Sequence, residues 1–122
     1  MSDLRDILLK KKNCKSIWFM RQAGRYLPEF REIRNKNHDF IKLCLNSELS
    51  SEITLQPIKR YDLDSAIIFS DILMVPYALG QSINFKRDSG PELSEFNYEN
   101  FLKKDEKEFL RKLSPVYKAI DL

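Results

Sequence analysis

Two short apolar runs, Ile17–Met20 (IWFM) and Ser65–Phe69 (SAIIF), constrain the fold more than any other feature of this chain. Runs of this length between polar turns fit strands covered on both faces. The stretch between them carries helical rather than hairpin signals. Two apolar strands separated by helices form a βαβ crossover, whose strands run parallel, so the expected class is α/β. A pair of parallel strands has two open edges and apolar faces that its own helices cannot bury. The 122 residues therefore read as the opening part of a larger domain, poorly folded or associated when isolated.

Local signals place the other elements. Ser2 or Asp3 can cap a first helix with Leu4, Ile7 and Leu8 on its apolar face. Pro28 pre-sets φ for a helix from Pro28 to Lys36, with Glu29 and Glu32 in its early turns. Asp39 can cap Phe40–Leu45, and Ser47 a longer helix in which Pro57 predicts a kink or break. Ser82–Phe85 alternate before the turn signal Asp88-Ser89-Gly90-Pro91, which predicts a small hairpin. Asn97–Leu102 and Glu106–Leu113 suit short helices. Ser114-Pro115 suits the start of a fresh one, with Val116, Tyr117 and Ile120 buried.

Charge narrows the partners. The net charge is +3, and residues 1–36 hold ten Lys/Arg against four Asp/Glu. That local excess fits a small anionic ligand better than the broad basic stripe of a nucleic-acid binder. Cys14 and Cys44 lack CxxC spacing, and His38 is the only histidine. No metal set is expected, and the cysteines read as reduced thiols of a cytoplasmic protein. No apolar run approaches the roughly 18 residues that span a bilayer, so no membrane partner is expected.

The candidate chemistry lies just past each apolar run. After Met20 come Arg21, Gln22, Ala23, Gly24 and Arg25, two guanidiniums on a glycine-containing turn. Guanidiniums fork toward carboxylate or phosphate oxygens, so the pair forms an anion clamp. The bland reading is two ordinary solvated arginines. After Phe69 comes Asp71. Side chains just beyond the C-terminal ends of parallel strands face the ligand cleft, so Asp71 and the arginines would share one rim. Alternatively, Asp71 caps the turn Ile72–Met74.

WFMRQAGRYLPEFRE together with ITLQPIKRYDLDSAIIFSDILMVPYALG closely resembles the N-terminal portion of the uroporphyrinogen decarboxylase family of haem biosynthesis. The RQAGRYLPE and FSDIL cores are its most specific parts, and weaker similarity covers nearly all 122 residues. The resemblance implies one domain over residues 1–122, the incomplete N-terminal part of a (β/α)₈ TIM barrel, which takes about 250 residues when whole. It further implies that Arg21, Gln22, Ala23, Gly24 and Arg25 line the substrate cleft, with the arginines bonding substrate carboxylates. Asp71 becomes the central catalytic residue, with Arg21 beside it.

The implied substrate is a tetrapyrrole, uroporphyrinogen III, whose four acetate side chains lose carbon dioxide to give coproporphyrinogen III. The family works without cofactor or metal and resembles homodimers when full length. The isolated chain is expected to be inactive, because later strands supply further site residues. Two other readings compete: a non-catalytic anion-binding remnant, and part of a related cobalamin-linked methyltransferase, which would need metal-binding His and Cys farther along.

Overall fold

A computed structural model describes residues 3–11, 17–86, 90–103 and 105–122. Ser2, Cys14, Asp88 and Ser89, each singled out above, lie outside that set. The elements are α1 (Asp3–Leu8), α2 (Pro28–Lys36), α3 (Phe40–Cys44), α4 (Ser47–Tyr61), α5 (Met74–Ala78), β1 (Ile83–Lys86), β2 (Gly90–Leu93), α6 (Tyr98–Leu102) and α7 (Glu106–Asp121). This is a mixed helix and strand structure. Among the described residues the sheet is one antiparallel hairpin, with Ile83 opposite Leu93 and Lys86 opposite Gly90.

The two expected parallel strands are not paired among the described residues. Ile17–Met20 is outside any ladder, and its residues are 57–80% exposed rather than covered on both faces. Ser65–Phe69 is also outside any ladder, and side chains bond its backbone groups. Thr54 Oγ1 accepts from the Phe69 N–H at 2.7 Å, and Ser50 Oγ donates to the Phe69 carbonyl. These two residues are four apart on α4 and so share one helix face. Gln22 holds the other end of the segment.

Neither Pro57 nor Pro115 breaks its helix. Helix α4 runs on through Pro57, which is buried in its interior, and α7 runs on through Pro115. Proline removes one helical donor and leaves the carbonyl four residues earlier without a partner. In α7 that carbonyl belongs to Arg111, and Ser114 Oγ donates to it at 2.8 Å. Ser114 therefore does not start a new helix. The buried residues of α7 are Leu113 and Ala119, with Phe109 partly buried against the core, while Tyr117 and Ile120 are exposed. The cap of α4 also moves back one residue: Asn46 Oδ1 accepts from the Leu49 N–H, and Ser47 Oγ instead donates to the Pro115 carbonyl at 2.9 Å. That bond ties α4 to α7.

Other local expectations hold. Helix α2 begins at Pro28, Asp39 Oδ1 accepts from the Lys42 N–H to cap α3, and the hairpin forms. Two buried clusters make the core. Leu27, Phe30, Leu43 and Ile53 pack as one, and Cys44, Leu73, Met74, Ala78 and Leu113 as the other. Phe69 touches both clusters and meets Phe30 and Phe40 edge-on at 5.6 and 6.1 Å. Fully burying a Leu or Ile contributes about 1.5–3 kcal/mol, so the first cluster is what holds α2, α3 and α4 together. No helix among the described residues is long and apolar enough to cross a membrane.

Candidate active site

The arginine turn is shaped by what it buries. Leu27 is 1% exposed, and its extended backbone leads into Pro28. The Leu27 N–H closes the turn on the Gly24 carbonyl at 3.0 Å. Ala23 packs against the cluster of Leu27, Phe30, Leu43 and Ile53. With Gln22 and Ala23 turned inward, Arg21 and Arg25 are left exposed on either side. The Arg25 carbonyl accepts from Arg31 Nη1 at 2.7 Å. Gly24 has only the Tyr26 ring within reach, at 3.7 Å from where a Cβ would stand.

Arg21 lines a cavity of about 350 Å³ with Phe19, Gln22, Tyr26, Tyr61 and Leu63. Tyr26 and Tyr61 stack there with ring centroids 6.4 Å apart, and the Tyr26 hydroxyl donates to the Gln22 carbonyl. Burial raises the Tyr26 hydroxyl's pKa, followed by the charges of Tyr61 and Glu29, so it remains a donor. Aromatic walls with one guanidinium suit a flat ring that carries a carboxylate. The tyrosine pair escaped the sequence reading. Tyr61 follows Arg60 at the end of α4, and nothing local pairs it with Tyr26 across 35 residues.

Gln22 is 6% exposed and reaches across the chain. Its Nε2 donates to the Ser65 carbonyl at 3.0 Å, and its Oε1 accepts from the Ile67 N–H at 2.8 Å. The arginine turn and the segment that enters Asp71 are joined by this one side chain.

Asp71 is half-buried. Its Oδ1 accepts from the Leu73 N–H at 2.9 Å and its carbonyl from the Met74 N–H at 3.0 Å, so it starts the turn before α5 as the capping alternative predicts. It is not among the residues lining the Arg21 cavity. The structure brings it near Cys44 instead. The Cys44 thiol is pushed up to about 12, first by burial and then by the Asp71 charge. A second, larger hollow of about 780 Å³ is lined by Arg34, His38, Tyr77, Asn84 and Lys112 among others. None of the five turn residues nor Asp71 lines it, and its size alone gives it no chemistry.

Comparison with known proteins agrees with the motifs. Residues 9–122 match the family described as Uroporphyrinogen decarboxylase (URO-D). The uroporphyrinogen decarboxylase of Agrobacterium fabrum is 48% identical over 104 residues, which are 85% of this chain and 30% of that protein. That of Rickettsia felis is 45% identical over 120 residues, 98% of this chain and 35% of that protein. That of Neorickettsia sennetsu is 52% identical over 113 residues, 93% and 33% of the two chains. The chain thus spans about a third of the length of these relatives.

Proposed function

Because the chain belongs to the uroporphyrinogen decarboxylase family, we propose that the whole gene product is a cofactor-independent carboxy-lyase. It converts uroporphyrinogen III to coproporphyrinogen III, acts in the cytoplasm as a homodimer, and folds as a (β/α)₈ barrel. Ile17–Met20 and Ser65–Phe69 are its first two strands, completed by neighbours from the rest of the barrel. Exposed apolar side chains along Ile17–Met20 support that reading, since such a surface is stable only when covered.

Segment 21–25 forms one wall of the cleft in this reading, and Arg21 and Arg25 hold substrate carboxylates. Asp71 accepts from pyrrole N–H groups. An acetate on a pyrrole loses carbon dioxide readily once the ring carbon beside it is protonated. The C–C bond to the carboxylate then breaks, its electron pair flows into the cationic ring, and carbon dioxide leaves. A proton added to the exposed methylene and loss of the ring proton yield a methyl group. An ionised Asp71 stabilises the cationic ring more than the neutral ground state, and that difference lowers the barrier. Arg21 supplies field and orientation for the substrate carboxylate.

The observation that carries the proposal is the bridge from Gln22 to Ser65 and Ile67, which joins the RQAGR turn to the segment entering FSDIL. Asp71→Asn in the whole gene product keeps the shape and removes the charge. Its kcat should fall by about 10²- to 10³-fold, the scale of losing one preorganised electrostatic contact. An unchanged rate overturns the role of Asp71.

A further inference from the structure

We infer that Gln22 is a positioning residue: its buried carboxamide stands in for a strand's peptide unit and fixes the arginine turn against the segment that runs into Asp71. The hydrogen-bond geometry stands on its own. Only the catalytic consequence rests on the decarboxylase reading.

In a parallel ladder, one residue's N–H and C=O bond to the C=O and N–H of the two residues that flank a single partner. Gln22 reproduces this pattern with its side chain. Nε2 donates to the Ser65 carbonyl and Oε1 accepts from the Ile67 N–H, and these two residues flank Ala66. The contact lies where the turn has carried the main chain beyond Met20, and the carboxamide bonds a segment that no strand pairs among the described residues. The backbone of Gln22 is held as well, through the Tyr26 hydroxyl on its carbonyl. Farther along the same segment, Thr54 and Ser50 take both backbone groups of Phe69. Side chains from the turn and from α4 thus fasten the segment at two points, and Gln22 is the point shared with the arginines.

The position demands a neutral group that donates and accepts at once. An ionised glutamate accepts only and a lysine donates only. Asparagine is one methylene shorter. Since Gln22 Oε1 and one N–H are committed to Ser65 and Ile67, its effect on a substrate passes through the placement of Arg21 and Arg25 on either side.

Gln22→Leu and Gln22→Glu in the whole gene product test this. Two quantities are measured: hydrogen exchange at the Ile67 amide without ligand, and kcat and KM with a porphyrinogen carrying acetate side chains. Gln22→Leu should speed Ile67 exchange at least tenfold and lower kcat/KM. Gln22→Glu should do the same at pH 8, where a carboxylate faces the Ser65 carbonyl. As the pH falls and the new acid is protonated, it regains a donor. Ile67 protection and kcat/KM relative to wild type should then recover together, a pH dependence that loss of packing alone would not produce. If the leucine variant does not fold, the near-isosteric glutamate variant still decides the question.

Unchanged Ile67 exchange in the variants, or a glutamate variant that shows no recovery in acid, overturns the inference. So does a rise in KM alone with Ile67 still protected, which would make Gln22 a direct substrate ligand. A wild-type protein without decarboxylase activity overturns the functional reading and leaves the exchange test intact.

Discussion

Glu29 accepts two hydrogen bonds from the Arg60 guanidinium, at 2.9 Å from Nε and 2.8 Å from Nη2, and so ties the first turn of α2 to the last turn of α4. The bidentate geometry is the strong form of this pair. The bond from Arg60 holds the Glu29 carboxyl below the usual glutamate range, and Glu29 raises Arg60 in turn. A lowered carboxyl pKa contributes stability that is fully present above the unfolded value, about 4.3, and is lost as the pH falls through the folded value. Acid titration of the melting temperature should therefore show a shallower fall below that pH in Glu29→Gln than in wild type. Identical acid limbs would count against the pair.

Thr54 lies on α4 with its hydroxyl donating to the Ser50 carbonyl while accepting from the Phe69 N–H. Thr54→Val keeps the shape and removes the acceptor. Leaving a part-buried N–H unpaired costs about 1–3 kcal/mol. Denaturant unfolding of the whole gene product should show that loss, together with faster exchange at the Phe69 amide. A variant as stable as wild type would mean that water replaces the hydroxyl.

Ser114 compensates for Pro115 by bonding the Arg111 carbonyl that the proline cannot reach. Ser114→Ala should destabilise by about 0.5–1 kcal/mol, toward the low end for a hydrogen bond because the site is exposed. The effect should shrink in a Pro115→Ala background, where the residue 115 N–H can itself bond Arg111. A double-mutant cycle reads this coupling, and simple additivity would refute it.

Cys44 is fully buried, and its thiol is pushed up to about 12. The thiolate is the reactive form. Under native conditions at pH 8, a maleimide should leave Cys44 unmodified, and denaturant should release it. Peptide mass spectrometry assigns the label to Cys44 or Cys14. Rapid native labelling of Cys44 would show that the cluster around it opens.

The features legible in the sequence are those whose causes lie within a few residues. Pro28 starts α2, Asp39 caps α3, the alternating Ser82–Phe85 run forms a hairpin, and Asp71 bonds the Leu73 N–H two residues on. The RQAGR and FSDIL motifs likewise belong to contiguous chain, so the family is legible in the sequence alone.

Tertiary structure decided what depends on distant partners. Pro57 and Pro115 remain inside helices, the latter where Ser114 takes up the Arg111 carbonyl and Ser47 bonds Pro115 from 68 residues away. Ser65–Phe69 lies in no ladder among the described residues, and Gln22, Ser50 and Thr54 bond its backbone groups from a distance in sequence. The bonds of Gln22 span 43 and 45 residues. A carboxamide in a turn carries no local mark of its partner, since its donor and acceptor fit any peptide group that packing brings within 3 Å. By itself the sequence determined which residues carry charge at the turn, and only the fold determined what holds that turn in place.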